Sequence, residues 1–271
     1  MTEPMDETMQ RGVKPRRKLK SLPSPQSIDL SGAALLLDVD GTLLDIATTP
    51  DGVVVPATLR ASLRDLLAQS DGALALVSGR TIDTLDRLFA PLKCPAVGGH
   101  GAEMRLLSDG QVVKQRSSEL SDSLRGQLQE LTKIDRGLLV EDKLHSVAVH
   151  YRLAPKRETE LKQRIAAIVA DKGPDQIEIL FGKDVIDVKP KDFNKGAAVI
   201  ELMSHPPFAG RTPIFIGDDT TDESVFAILP ELSGTGFSVE KEMKGADGVI
   251  PSPQHVRSWL NQLSLHAGGR S

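Results

Sequence analysis

Aromatic residues are scarce in this chain: seven Phe, one Tyr and one Trp among 271 residues. A hydrophobic core must therefore be filled by Leu, Val, Ile and Ala. Cysteine is rarer still. The lone Cys94 cannot close an intramolecular disulfide, which fits a reducing compartment. No apolar run is long enough to span a bilayer. The first residues lack the apolar segment of a secretory leader, and Glu3, Asp6 and Glu7 do not fit a transit peptide. A net charge of −4 argues against bulk binding of nucleic acid or of an anionic membrane. These absences lead us to expect a cytoplasmic monomer with no nucleic-acid or membrane partner. Residues 1–27 are polar and carry the basic run Lys14-Pro15-Arg16-Arg17-Lys18-Leu19-Lys20. They read as a disordered tail.

What the chain does contain is concentrated at Leu35-Leu36-Leu37-Asp38-Val39-Asp40-Gly41-Thr42. Three apolar residues run into two carboxylates and a Gly-Thr turn. The apolar run reads as a strand buried on both faces, as in a parallel sheet, whose carboxyl end is where open α/β sheets bind ligands. Two acids there cost folding energy unless a cation or a proton compensates them. The first could attack phosphorus while a metal ion shields its charge, and the second could pass a proton to and from the leaving group.

Short apolar runs at 33–37, 73–77 and just before Gly98-Gly99-His100-Gly101 alternate with amphipathic patterns at Leu59/Leu63/Leu66/Leu67 and Ile82/Leu85/Leu88/Phe89. This alternation predicts a doubly wound, Rossmann-like parallel sheet, the core of an α/β protein. The middle differs. Strands at 111–116, 147–152 and 177–181 and helices at 124–131 and 158–169 predict an inserted α+β unit. The first pattern returns with strands at 185–188 and 213–216. Asn194 and the capping box Thr220-x-x-Glu223 mark helix starts, and Ser252-Pro253 opens the last helix. The division expected is core at 28–104, an inserted cap at 105–183, and core again at 184–271.

Four segments place polar groups at strand ends or helix starts: Asp38/Asp40, Ser78-Gly79-Arg80, Lys195-Gly196, and Gly217-Asp218-Asp219 with Asp222. Each alone has a plain explanation as a turn, a cap or a solvated charge. Together, in this order, they form a complete phosphoryl-transfer set. Asp38 is the nucleophile and Asp40 the general acid and base. Ser78, with Gly79 and Thr42 of the same turns, binds phosphate. Lys195 adds positive charge at a helix start. Asp38 and Asp218, with Asp40, are the expected ligands for Mg²⁺, a hard cation.

The same residues resemble the motifs of the haloacid dehalogenase-like phosphohydrolases. Asp38-Val39-Asp40-Gly41-Thr42 is similar to the first motif, Ser78 to the second, Lys195 to the third, and Gly217-Asp218-Asp219 with Asp222 to the fourth. The resemblance implies Mg²⁺, an aspartyl-phosphate, and an inserted cap that sets substrate choice. A narrower likeness, to trehalose-6-phosphate phosphatases, lies in residues 217–226, in Gly99-His100-Gly101-Ala102-Glu103, and in Val140-Glu141-Asp142-Lys143 and His150-Tyr151-Arg152. It implies a sugar phosphate as substrate, with Glu141 and Lys143 as cap residues that bind it and Arg80, His100 and Asp187 beside them. One departure is Asp187, where the family commonly has Glu. Spacing alone leaves Glu141, Lys143, His150 and Arg152 as an exposed strand of mixed charge, and leaves Glu103 and Arg105 open to either role. The rival readings are a sucrose- or hexose-phosphate phosphatase, a receiver-like phospho-acceptor, and a catalytically silent sugar-phosphate sensor.

Overall fold

The computed structural model describes residues 19–47, 52–114, 120–143, 145–172, 175–182 and 184–267. The basic run up to Lys18 and the end of the predicted strand at 115–116 lie outside them. Two sheets organise the chain. The larger has eight strands in the order β12-β11-β10-β1-β2-β3-β4-β5. β1 (Ala33–Leu37) lies at its centre, between β10 (Thr212–Gly217) and β2 (Leu74–Val77), parallel to both. β3 (Ala96–Gly98), β11 (Thr235–Val239) and β12 (Gly248–Ile250) continue the parallel set, and β4 (Glu103–Arg105) and β5 (Val113–Lys114) finish one edge antiparallel.

The apolar run of β1 is continuous because both of its faces are covered. Leu35 and Leu37 pack with α1 (Ala57–Gln69), α2 (Ile82–Phe89) and α7 (Pro253–Ala267). Ala34 and Leu36 pack with α5 (Lys195–Met203) and α6 (Glu223–Ile228). All five β1 residues are buried. Each buried Leu contributes about 1.5–3 kcal/mol, enough to hold a strand whose next residue is a buried acid.

The smaller sheet is antiparallel, β6-β7-β9-β8. It comprises β6 (Leu139–Asp142), β7 (Val147–His150), β8 (Ile177–Gly182) and β9 (Val185–Pro190). Val147, Val149, Ile186 and Val188 face α3 (Asp122–Gln129) and α4 (Glu158–Lys172), where Leu124, Leu128, Leu161 and Ile165 complete a separate core. The alternate residues face the larger sheet's loops.

Three expectations are corrected. β9 was read as the return of the large sheet, yet it pairs with β7 and β8; the chain re-enters the large sheet's layer only at α5. At the other end, β4 and β5 extend the large sheet past position 105. Residues 19–27, read as part of a disordered tail, are tied down. Lys20 N donates to Asp247 O at 2.8 Å, and Trp259 Nε1 donates to Pro23 O at 2.9 Å.

Candidate active site

Because β10, β1 and β2 are adjacent and parallel, the residues that follow them meet at one edge. Asp38 leaves β1 with its N–H on Ile216 O at 2.9 Å, and Ser78 leaves β2 with its N–H on Val97 O at 2.8 Å. Asp218 follows β10. Lys195 opens α5, whose N-terminus is capped by Asn194 Oδ1 accepting from Ala197 N at 3.2 Å, as the sequence predicts. That cap aims Lys195 at the strand ends. Its Nζ donates to Asp38 Oδ1 and to Asp222 Oδ1, each at 2.8 Å.

Asp222 is fully buried and holds the loop after β10. Its Oδ2 accepts from Asp218 N at 2.9 Å and Asp219 N at 3.0 Å. The capping box here is therefore Asp219 with Asp222, one residue earlier than the Thr220/Glu223 box expected. Asp219 is the residue with extended backbone, φ −118°, just before the turn. Gly41, at φ +83°, lets the turn after Asp40 pass Asp218; a Cβ there would lie 2.1 Å from Asp218 Oδ2.

Among the described residues, Asp38, Asp218 and Asp222 each offer an oxygen, and these atoms lie within 4.8 Å of one another. Three carboxylates share one ammonium, that of Lys195. Burial pushes the Asp38 and Asp218 carboxyls well above the ordinary carboxylate range; Lys195 pulls both back, while Asp222 and Asp40 push Asp38 further up, and Asp38, Asp222 and Asp219 do the same to Asp218. Burial also opposes the charge of Lys195, but Asp222 and Asp38 outweigh it and raise its pKa. The site is short of positive charge, and all-oxygen donors this close suit a hard divalent cation. The residues fit a metal ion.

Asp40, expected among the metal ligands, turns its carboxylate to Arg80. Arg80 Nε and Nη2 donate to its two oxygens at 2.6 and 2.8 Å. Thr42, expected to bind phosphate, is buried behind Asp218, to whose Oδ1 it donates at 3.2 Å; it does not line the cleft. Ser78 Oγ accepts from Arg80 N at 3.1 Å, so its own proton is available to a ligand. Arg105 serves the scaffold: it donates to both oxygens of Asp86 at 2.7 Å and to Cys94 O.

Asp38, Asp40, Ser78, Lys195 and Asp218 form the floor of a cleft with about 1030 Å³ of space, part of it open to solvent. The floor also includes Gly79, Arg80 and His100. The roof is the free face of the small sheet, with Glu141, Lys143, His150, Arg152 and Asp187. His150 Nε2 lies 3.2 Å from Glu141 Oε2, and Lys143 Nζ donates to Asp187 Oδ1 at 3.3 Å. Burial pushes the Glu141 carboxyl up, but His150 and Lys143 hold it below its ordinary value. His100 is buried, and loss of hydration lowers its pKa to about 3, so the ring is neutral.

Two contacts close roof onto floor. Arg152 hydrogen-bonds Ala47 O and donates from Nε to Asp184 Oδ2 at 3.1 Å. The β8–β9 turn, which carries Asp184, settles on Asp219, where a Cβ at Gly182 would lie 2.8 Å from Asp219 Oδ2. Gly182→Val should lift that turn and lower kcat/KM for a large substrate about tenfold, with much less effect on a small phosphate ester. Steady-state kinetics on both esters test this, and equal losses would refute it. An apolar wall of Ile46, Val53, Leu180 and Val185 was not foreseen, since in sequence such residues look like core. The role of Asp222 in the acid cluster was also missed; its signal was a buried acid four residues past Asp218.

A model of the family described as Trehalose-phosphatase matches residues 36–251. The chain is 44% identical over 244 residues to a probable trehalose-phosphate phosphatase of Sinorhizobium fredii, covering 89% of this chain and 91% of that one. It is 35% identical to the trehalose-6-phosphate phosphatase of Escherichia coli, covering 97% and 92%. The fold superposes on the C-terminal domain of the Candida albicans trehalose-6-phosphate phosphatase with a TM-score of 0.78 at 22% identity, covering 93% and 99%.

Proposed function

The chain belongs to the trehalose-phosphatase family of phosphoric monoester hydrolases, and from that premise we propose that it hydrolyses trehalose 6-phosphate to trehalose and phosphate through an aspartyl-phosphate on Asp38, with Mg²⁺. The observation that carries this reading is the cleft itself: Lys195 bound to Asp38 at its base, and a roof of sugar-compatible polar groups above. Asp38 attacks phosphorus. Asp40, oriented by Arg80, protonates the departing sugar oxygen, because an alkoxide is a poor leaving group. Asp40 then takes the proton of the water that cleaves the acyl phosphate, and phosphate leaves with Asp38 regenerated. Ser78 and Lys195 donate to the phosphoryl oxygens as charge moves among them. A divalent cation held by Asp38, Asp218 and Asp222 would neutralise the charge between an anionic nucleophile and a phosphate dianion.

The small sheet with α3 and α4 serves in this reading as the cap. A disaccharide phosphate has many hydroxyls, and Arg80, His100, Glu141 and Lys143 provide donors and acceptors for them, with Asp187 beside them. Closure by Arg152 and Gly182 excludes bulk water from the first step.

The test is phosphate release from trehalose 6-phosphate, sucrose 6-phosphate, glucose 6-phosphate and an aryl phosphate, with and without Mg²⁺. A strong preference for trehalose 6-phosphate, abolished by chelation, is the expected result. Turnover of the others but not of it would keep the phosphatase and discard the substrate. No release, with stoichiometric labelling of Asp38 by a small phosphodonor, would replace the enzyme with a phospho-acceptor.

A further inference from the structure

The register of the small sheet sets a row across its cleft-facing side: Glu141 opposite Ala148, Ala148 opposite Asp187, and Asp187 opposite Leu180. Two strand spacings, about 10 Å, separate the backbones of Glu141 and Asp187. Lys143, two residues beyond Glu141 and on the same face, brings its ammonium between them. Its Nζ lies 3.3 Å from Asp187 Oδ1 and 4.0 Å from Glu141 Oε2. The first is a hydrogen bond, and the second is an ion pair beyond hydrogen-bond range. The side chains of Lys143 and Asp187 are 13% and 11% exposed, whereas that of Glu141 is 36% exposed. Of the two carboxylates, Glu141 is the one offered to the cleft. Asp187 has a single methylene, which keeps its carboxylate beside the sheet.

We propose that Asp187 is a positioning residue: it holds Lys143 away from Glu141, so that Glu141, whose Oε2 meets His150 Nε2 at 3.2 Å, keeps its other oxygen to read sugar hydroxyls and the remaining protons of Lys143 point into the cleft. The inference rests on the proposed substrate. An ammonium donates three hydrogen bonds, and Asp187 takes one in a fixed direction. Without that anchor, Lys143 needs to move little to reach Glu141, which would then be neutralised by its neighbour. Burial pushes the Asp187 carboxyl up, but Lys143, by its charge and its hydrogen bond, brings it below its ordinary value. Burial likewise opposes the charge of Lys143, while Asp187 and Glu141 raise its pKa. Both partners of the pair are therefore charged.

A double-mutant cycle tests the proposal. In the full-length enzyme with Mg²⁺, Asp187→Asn should lower kcat/KM for trehalose 6-phosphate about tenfold, mainly through KM, with less than about threefold effect on an aryl phosphate. Asp187→Glu, which restores the anchor, should recover most of the loss. In a Lys143→Met background, Asp187→Asn should change kcat/KM by less than about threefold. Full additivity of the two losses would mean that Asp187 contacts the substrate directly, and would overturn the proposal. Equal losses on the aryl phosphate would make the pair structural and overturn it as well. A wild-type enzyme that cleaves the aryl phosphate but not trehalose 6-phosphate would remove the proposed substrate, and this inference with it. That outcome is visible before any variant is made, and so is distinct from failure of the cycle.

Discussion

Asp38→Asn should lower turnover of trehalose 6-phosphate by at least about 10³-fold while leaving the fold intact. The substitution keeps the shape of the side chain but removes the oxygen nucleophile. The amide has no lone pair basic enough to attack phosphorus and no carboxylate to carry it. The fold should survive because Lys195 keeps its second partner, Asp222, at 2.8 Å, so no buried ammonium is left alone. The carboxyl of Asp38 is itself held above its ordinary pKa by burial, so replacing it with a neutral group relieves a desolvation cost. The melting temperature in metal-free buffer should therefore stay level or rise by a few degrees. The loss should be as large on an aryl phosphate as on the disaccharide phosphate, because both need the same bond to form. Acid-quenched enzyme exposed to a labelled aryl phosphate, whose leaving group departs without a general acid, should hold covalent phosphate in Asp40→Asn, where the second step lacks its base, and none in Asp38→Asn. Normal turnover by Asp38→Asn would end the covalent mechanism.

Divalent cation should raise the melting temperature by roughly 5 °C at saturating concentration, and chelation should reverse it. The cause is the shortage of positive charge among Asp38, Asp218 and Asp222, with Lys195 as the cation between Asp38 and Asp222. The pH dependence has a definite sign. Folding raises the carboxyl pKa of Asp38 and of Asp218, burial being the largest cause in each. Between the ordinary carboxylate value, about 4, and the raised value, the folded protein binds more protons than the unfolded chain. Its metal-free stability should then fall as pH rises through this window into neutrality, by at most about 1.4 kcal/mol per pH unit for each group. A bound cation replaces those protons, so its stabilisation should grow over the same range. Thermal melts at several pH values, with chelator or with Mg²⁺, measure this without reference to activity. A metal effect that is flat with pH, or largest at acid pH, would place the cation elsewhere.

The acid cluster shows where sequence reasoning stops. The buried central strand was legible because a run apolar on every residue must be covered on both faces, and β1 is. That Asp38, Ser78 and Asp218 share an edge follows from the same logic, since parallel strands end together; Lys195 reaches that edge from the start of α5, and the strand before it lies in the other sheet. The second carboxylate of the Asp-x-Asp pair behaved differently. Asp40 lies two residues past Asp38, and its carboxylate turns to Arg80, while Asp222, expected with the loop after β10 but not among the metal ligands, takes a place in the cluster. The direction of a short side chain after a strand depends on the charge nearest to it in space, and Arg80 comes from another loop.

The strand at 185–190 makes the same point for the fold. Ile186 and Val188 alternate with Asp187 and Lys189, yet all four are buried. The pattern alone could not determine the sheet, because such a strand looks alike wherever it pairs. Tertiary structure placed it between β7 and β8, and so set Asp187 beside Lys143 above the cleft. The sequence by itself determined which residues must be covered and which acids needed compensation, because burial and charge are properties of single residues and their near neighbours. Only the tertiary structure decided which cation compensates which acid, because that is a matter of distances between segments far apart in the chain.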